Sequence, residues 1–169
     1  AKTTTLITSS LYLDEAVNMR LSLERIGWYP KAYFATIGPT TQAFHDRLGK
    51  DAEYAFSASV WDSNATFPGS KKFYDSFVKT YGKMLSSHAA VAYAGGQILE
   101  VAIKSAESID RERIRDKLSK MDEMTVIGRY NVDRTGMQIK NFSFIIHWQD
   151  GKKELVWPEE LRTANPIFK

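Results

Sequence analysis

The spacing of apolar positions alternates between two periods over the first sixty residues. Residues 3–8 form a β-branched, apolar run that predicts a buried strand. Asp14 then offers an N-cap. Ala16, Met19, Leu23 and Ile26 recur at helical spacing, and Gly27 supplies a stop signal. Residues 32–37 predict a second strand. Thr40 can cap a short helix in which Phe44 and Leu48 share a face, ending at Gly49. Tyr54, Phe56, Ala58 and Val60 then alternate with smaller or polar residues, as a half-buried strand does. The order β-α-β-α-β favours a parallel sheet with helices on its faces.

The middle of the chain is helical by the same criterion. Phe73, Phe77 and Tyr81 repeat every four residues before Gly82. Residues 87–106 form the longest apolar-periodic segment, small-sided in its first half, where Gly95 and Gly96 interrupt a run of alanines. Two helical glycines cost about 1 kcal/mol each against alanine, so close packing on another backbone is the expected compensation. Asp110 caps a third helix, with Ile109 placed to staple onto Ile114, and an inward face of Ile114, Leu118 and Met121. Residues 125–132 then predict one strand, 133–136 a turn, and Phe142, Phe144, Ile146 and Trp148 an alternating strand. Asp150-Gly151 marks a hairpin, with 155–157 as the returning strand. Candidate boundaries are 62–70 and 119–123, and no repeat or low-complexity linker intervenes.

Composition narrows the function classes. The chain has 169 residues, 43% hydrophobic and 25% charged, which is ordinary globular usage. No stretch approaches the roughly 20 apolar residues needed to span a bilayer as a helix. Cysteine is absent, which excludes disulfides, thiol catalysis and cysteine-ligated metals. The formal charge is +3, from 23 basic and 20 acidic residues, too small a surplus for a nucleic-acid footprint. The first ten residues lack an apolar signal-peptide core, so an export signal, if used, is expected outside this chain.

Enzyme signatures are missing. There is no phosphate loop, dinucleotide fingerprint, zinc-protease motif or nucleophile elbow. His45, His88 and His147 are scattered and predict no metal site. The neighbours Asp14-Glu15 and Glu159-Glu160 point in different directions on a helix and suit capping or solubility better than acid–base work. Asn64-Ala65-Thr66 and Asn141-Phe142-Ser143 match glycosylation sequons and are read as chance. Arg111, Arg113, Arg115, Lys117 and Lys120 are interleaved with Glu112 and Asp116, which reads as a solvated face.

Two loops stand out. Ser10, Leu11 and Tyr12 follow the first strand, and Ile37, Gly38 and Pro39 follow the second. Both are at carboxyl ends of adjacent parallel strands, where open α/β sheets bind ligands. Trp61 is expected at the same edge, ending the third strand. Loop capping with core-edge packing is the plainer reading of the same residues.

Longer segments carry a resemblance. Tyr93-Ala-Gly-Gly-Gln-Ile-Leu-Glu-Val-Ala-Ile-Lys104, Ile109-Asp-Arg-Glu-Arg-Ile-Arg-Asp-Lys-Leu118, Thr125-Val-Ile-Gly-Arg-Tyr-Asn-Val-Asp-Arg-Thr-Gly136 and Phe144-Ile-Ile-His-Trp-Gln-Asp-Gly-Lys152 together resemble the extracellular solute-binding proteins of branched-chain amino-acid-type ABC transporters. Leu13-Asp-Glu-Ala-Val17 and Gly27-Trp-Tyr-Pro-Lys31 fit the same family. The resemblance implies an α/β, type I periplasmic-binding-protein-like fold, a parallel sheet flanked by helices with a C-terminal β-hairpin. It also implies an incomplete two-lobe architecture, this chain being the carboxyl-terminal portion. Residues 1–62 would be a second-lobe segment, 63–122 helices of the first lobe, and 123–169 strands returning to the second.

The function so implied is capture of a small-molecule ligand by hinge closure, for an ABC transporter membrane permease, in the periplasm. Neither catalysis, cofactor nor nucleic acid is implied. Ligand contacts would fall at Ser10, Leu11, Tyr12, Ile37, Gly38, Pro39 and Trp61, with Ser10 or the Gly38 amide as donors. The family's amino-acid binders hold the ligand ammonium with a carboxylate in the second loop. Here that loop reads Thr36-Ile-Gly-Pro-Thr-Thr41, without an acidic residue. A buried ammonium lacking a partner is costly, so an aromatic or other organic acid is favoured over a zwitterion. The alternatives are a ligand-sensing regulatory module of the same fold and a self-associating fragment without ligand binding. Homo-oligomerisation or element swapping is expected of a chain whose helices lack their sheet.

Overall fold

The computed structural model describes residues 6–82, 85–141 and 143–168. The chain divides into two compact units, Ala1–Ser59 with Ser143–Lys169, and Val60–Phe142.

The first unit is built on a five-stranded sheet. Its strands are β1 (Leu6–Ser9), β2 (Ala32–Ala35), β3 (Ala55–Ser59), β6 (Phe144–Gln149) and β7 (Lys152–Trp157), in that spatial order. β1, β2 and β3 run parallel, while β6 and β7 are antiparallel additions. Two helices, α1 (Leu13–Arg25) and α2 (Gln42–Leu48), supply the crossovers. The sheet's two faces differ. Tyr33, Ala35, Ala55, Phe144, Ile146, Trp148 and Leu155 are buried. Those of β2 and β6 meet the helices, Tyr33 through a hydroxyl donated to the Ala16 carbonyl (3.1 Å) and Trp148 by stacking on His45 (4.9 Å). The opposite face carries a smaller cluster of Ala32, Phe56 and Val156, with Phe34 and Ile145 packed against it.

Several local expectations are corrected here. α1 begins one residue before Asp14, with Tyr12 at the N-cap and its carbonyl accepting from the Ala16 amide. Asp14 sits in the first turn, where its charge suits the helix dipole, and pairs with Arg47. The buried face of α1 is Ala16, Val17, Arg20 and Leu23, whereas Ile26 is exposed. Arg20 is tolerated inside because its aliphatic stem packs, its Nε donates to the Asp51 carbonyl (2.6 Å) and its head lies near the rings of Tyr29 and Tyr33. Thr40 does not cap α2. It falls in a 3₁₀ turn, Gly38–Thr40, and Thr41 takes the N-cap position. The Asp150-Gly151 hairpin forms as expected, both residues at positive φ (50° and 73°).

The second unit holds α3 (Ser70–Tyr81), α4 (Ser87–Ala106), α5 (Arg111–Leu118) and a two-stranded hairpin, β4 (Asp122–Thr125) with β5 (Gly128–Asn131). The single strand expected over 125–132 is therefore a reversal at 126–127. Thr125 Oγ1 donates to the Gly128 carbonyl (2.7 Å), and Gly128 takes φ 118°, a conformation L residues rarely adopt. Ser86 and Asp110 cap α4 and α5 through their side chains. The Ile109 staple does not form, since Ile109 is 85% exposed. Ile114 and Leu118 are half-buried, and of the expected inward face Met121 alone is buried. Close packing at Gly95 and Gly96 is also absent among the described residues, because a Cβ at either would meet nothing within 4 Å. The expectations placed on residues 3–5 and Phe142 lie outside the described residues.

Candidate functional site

The two loops singled out in sequence meet in the first unit. β1 and β2 are in register from Leu6↔Ala32 to Ser9↔Ala35, so their carboxyl ends emerge side by side. The Leu11 carbonyl then accepts from both the Ile37 amide (3.3 Å) and the Gly38 amide (3.2 Å). That pair of hydrogen bonds to one acceptor staples the β1–α1 loop to the β2–α2 loop. The Gly38 amide is thus engaged inside the rim.

Gly38 is required for this approach by space. A Cβ there would sit 2.4 Å from Ala16 Cβ and 3.0 Å from the Tyr12 carbonyl oxygen. The 3₁₀ turn is closed by Thr40 Oγ1 donating to the Ile37 carbonyl (2.7 Å) and Thr41 Oγ1 donating to the Gly38 carbonyl (3.0 Å). Pro39 is buried, and its carbonyl accepts from the Trp148 indole Nε1 (2.8 Å). Lys153 Nζ donates to the Thr40 carbonyl (2.9 Å), placing a cation beside the second loop. Below the rim, Ser57 Oγ donates to the Thr36 carbonyl (3.0 Å), while the buried Thr36 Oγ1 has no partner among the described residues.

What the rim presents outward is Ser10 and Tyr12, both exposed, Tyr12 at 68%. Leu11 and Ile37 are half-buried. Ser10, Leu11, Tyr12, Ile37, Gly38 and Pro39 therefore belong to one constellation. Trp61 does not end β3, which stops at Ser59. It belongs to the second unit and is buried there with Leu85 and Ala90. Its Nε1 donates to Ser70 Oγ (2.8 Å), and its ring stacks on Tyr74.

Sequence reasoning missed the roles of Trp148 and Lys153 at this rim. Each reaches its loop partner across more than 100 residues of chain, and no local pattern encodes such a pairing. The second unit also carries an open groove of about 550 Å³ between α3 and α4. Phe73, Phe77, Tyr81 and Tyr93 line it. Among the described residues, no group of three or more His, Asp or Glu is placed to hold a metal ion, and no helix is long and apolar enough to cross a membrane.

A parallel sheet whose loops open a rim at the strands' carboxyl ends, closed by an antiparallel pair, is the architecture of the type I periplasmic-binding fold. A family model for periplasmic binding proteins matches residues 1–153, and the chain belongs to that family. Solved structures agree on the fold. A leucine-binding protein, LivK, from Thermotoga maritima is 23% identical with a TM-score of 0.77, covering 89% of this chain and 43% of its own. The branched-chain amino acid transporter substrate-binding protein LivJ from Streptococcus pneumoniae, in complex with isoleucine, is 20% identical with a TM-score of 0.76, covering 98% and 45%. An ABC-transporter solute-binding protein from R. palustris, in complex with benzoate, is 13% identical with a TM-score of 0.71, covering 90% and 42%. The chain thus spans less than half the length of these structures.

Proposed function

We propose that this chain carries part of the ligand-binding machinery of an extracytoplasmic solute-binding protein serving an ABC transporter permease, and that its ligand is an organic acid. The observation that carries the ligand class is the acid-free rim. Loop 36–41 has no carboxylate, and Asp14, in the first turn of α1, is paired with Arg47. The Leu11, Tyr12, Ile37, Gly38, Pro39 and Thr40 carbonyls that an ammonium would seek already accept hydrogen bonds. A carboxylate would find the Ser10 hydroxyl, with Lys153 near the second loop. Tyr12 offers an exposed aromatic face, worth about 0.5–1.5 kcal/mol in stacking beyond area burial. The same fold holds benzoate in one relative and isoleucine in another, so the rim's chemistry, not the fold, must decide.

In this reading Ser10 to Tyr12 and Ile37 to Pro39 form one wall of the ligand site. The test is a thermal-shift screen of the complete encoded polypeptide against aromatic acids, small amides and branched-chain amino acids. Stabilisation by acids and not by zwitterions is the expected result. Stabilisation by isoleucine alone overturns the ligand class.

A second reading applies to the 169-residue chain by itself. α4 buries just Ala90, Ala94 and Ala102, and leaves Val91, Tyr93 and Leu99 exposed beside the aromatic groove. Such a surface favours self-association of the isolated chain.

A further inference from the structure

His147 lies outside the rim, on the sheet face away from α1 and α2, and is fully buried. Its ring stacks on Phe56 at 3.9 Å, and Phe56 in turn stacks on Phe168 near the chain's end (5.5 Å). His147 Nδ1 is 2.7 Å from Gln149 Nε2, and that same Nε2 donates to the Asn165 carbonyl (2.8 Å). Because an amide nitrogen can only donate, Nδ1 is the acceptor and the ring carries its hydrogen on Nε2. Nε2 makes no well-aligned side-chain hydrogen bond among the described residues, and the Tyr54 backbone is the polar group that favours the ring's charged form.

We propose that His147 and Gln149 form a proton-sensitive latch that holds segment 165–168 against the sheet and lets it go when His147 is protonated. A second proton must enter at Nδ1, which then becomes a donor facing a donor. The Gln149 amide answers by turning its Oε1 toward Nδ1. That rotation sets Oε1 against the Asn165 carbonyl, acceptor against acceptor, and the tail loses its tether. Phe168 is 61% exposed and stacks on Phe56. The preceding residues stay anchored, since the Thr163 and Ala164 amides both donate to the Leu155 carbonyl independently of His147.

Several charged and titratable groups surround the ring. Tyr54, just before β3, tilts toward the ring at 6.2 Å. Glu154, opposite His147 on β7, pairs with the Thr163 hydroxyl. Lys152 lies opposite Gln149, Glu53 accepts from the Gly151 amide, and Arg162 is held by Glu159. Burial holds the His147 imidazolium down, to a pKa of about 4, with the Tyr54 backbone offsetting part of the effect.

The experiment is an NMR titration of the 169-residue chain from about pH 7 to about pH 3.5, bracketing the histidine's range. It follows the His147 ring nitrogens, the Gln149 side-chain amide and the Phe168–Phe56 ring contact. The contact should be lost with the same midpoint as His147 titrates, while Ile146, on the opposite face, keeps its native shift. His147→Phe keeps the stack and the Gln149–Asn165 bond, so its tail should remain in place throughout. Gln149→Leu should free the tail even at neutral pH. Persistence of the contact through the His147 titration overturns the latch. So does its loss at an unchanged midpoint in His147→Phe, or loss of the Ile146 shift together with the contact, which would make the event global unfolding.

Discussion

Gly38→Ala should destabilise the chain, whereas Gly95→Ala should stabilise it. In principle, replacing glycine by alanine at an ordinary φ reduces unfolded-chain entropy and is favourable by about 0.4–1 kcal/mol. At Gly38 that gain meets a collision. The new Cβ would sit 2.4 Å from Ala16 Cβ, more than 1 Å inside van der Waals contact, and 3.0 Å from the Tyr12 carbonyl oxygen. Neither neighbour can rotate away, because one is attached to the α1 backbone and the other belongs to it. The first turn of α1 must lift off the 3₁₀ turn, stretching the bonds from the Ile37 and Gly38 amides to Leu11. Overpacking of this kind costs about 1–3 kcal/mol. At about 2–4 °C per kcal/mol for a chain of this size, the midpoint falls by roughly 2–12 °C. At Gly95 the Cβ meets nothing within 4 Å, and alanine inside a helix gains about 1 kcal/mol. Urea unfolding, followed by near-ultraviolet dichroism because the chain has two units, reads both variants against the wild type. A neutral or stabilising Gly38→Ala would refute the account of how the two loops are held together.

Other outcomes follow from the same contacts. Trp148→Phe removes the donor to the buried Pro39 carbonyl, and should cost about 1–3 kcal/mol for the unpaired oxygen before any cavity is counted; loss of less than about 0.5 kcal/mol in urea would mean that this bond does not pin the rim. The folded-state pKa of His147 lies below its ordinary value of 6.5, so its contribution is complete above that value and lost as pH falls toward about 4. The gap corresponds to about 3 kcal/mol, and His147→Phe should flatten the stability profile over that window. Light scattering of the isolated chain should show concentration-dependent association through the α3–α4 face. A clean monomer at high concentration would contradict it, and Tyr93→Lys with Leu99→Lys should suppress it.

Much of the first unit was legible because its signals are local. A β-branched apolar run placed the first parallel strand and period-two alternation the third, and Asp150-Gly151 announced the closing hairpin through two residues that tolerate positive φ. The errors have physical causes. The strand expected over 125–132 failed because the β-branched pattern does not show that Thr125 folds back onto Gly128. The expected stripe of Ala16, Met19, Leu23 and Ile26 omits Arg20, which joins the buried face because its partners Asp51, Tyr29 and Tyr33 come from elsewhere in the chain. Trp61 was assigned to the wrong unit because an aromatic after a strand carries no record of which core it enters. The loops 10–12 and 37–39 were found by topology, since carboxyl ends of parallel strands can be counted from sequence. What supports them from β6 and β7 could not be.

The measurement that tests the central claim most directly is calorimetric titration of the complete encoded polypeptide, wild type and Tyr12→Ala, with benzoate and with isoleucine. Tyr12 is exposed, so its removal should leave the fold intact. The account predicts binding of the aromatic acid, little or no binding of the zwitterion, and about tenfold weaker acid binding without the tyrosine ring. Equal affinity of wild type and variant for the acid, or tight binding of isoleucine with no response to benzoate, would contradict it.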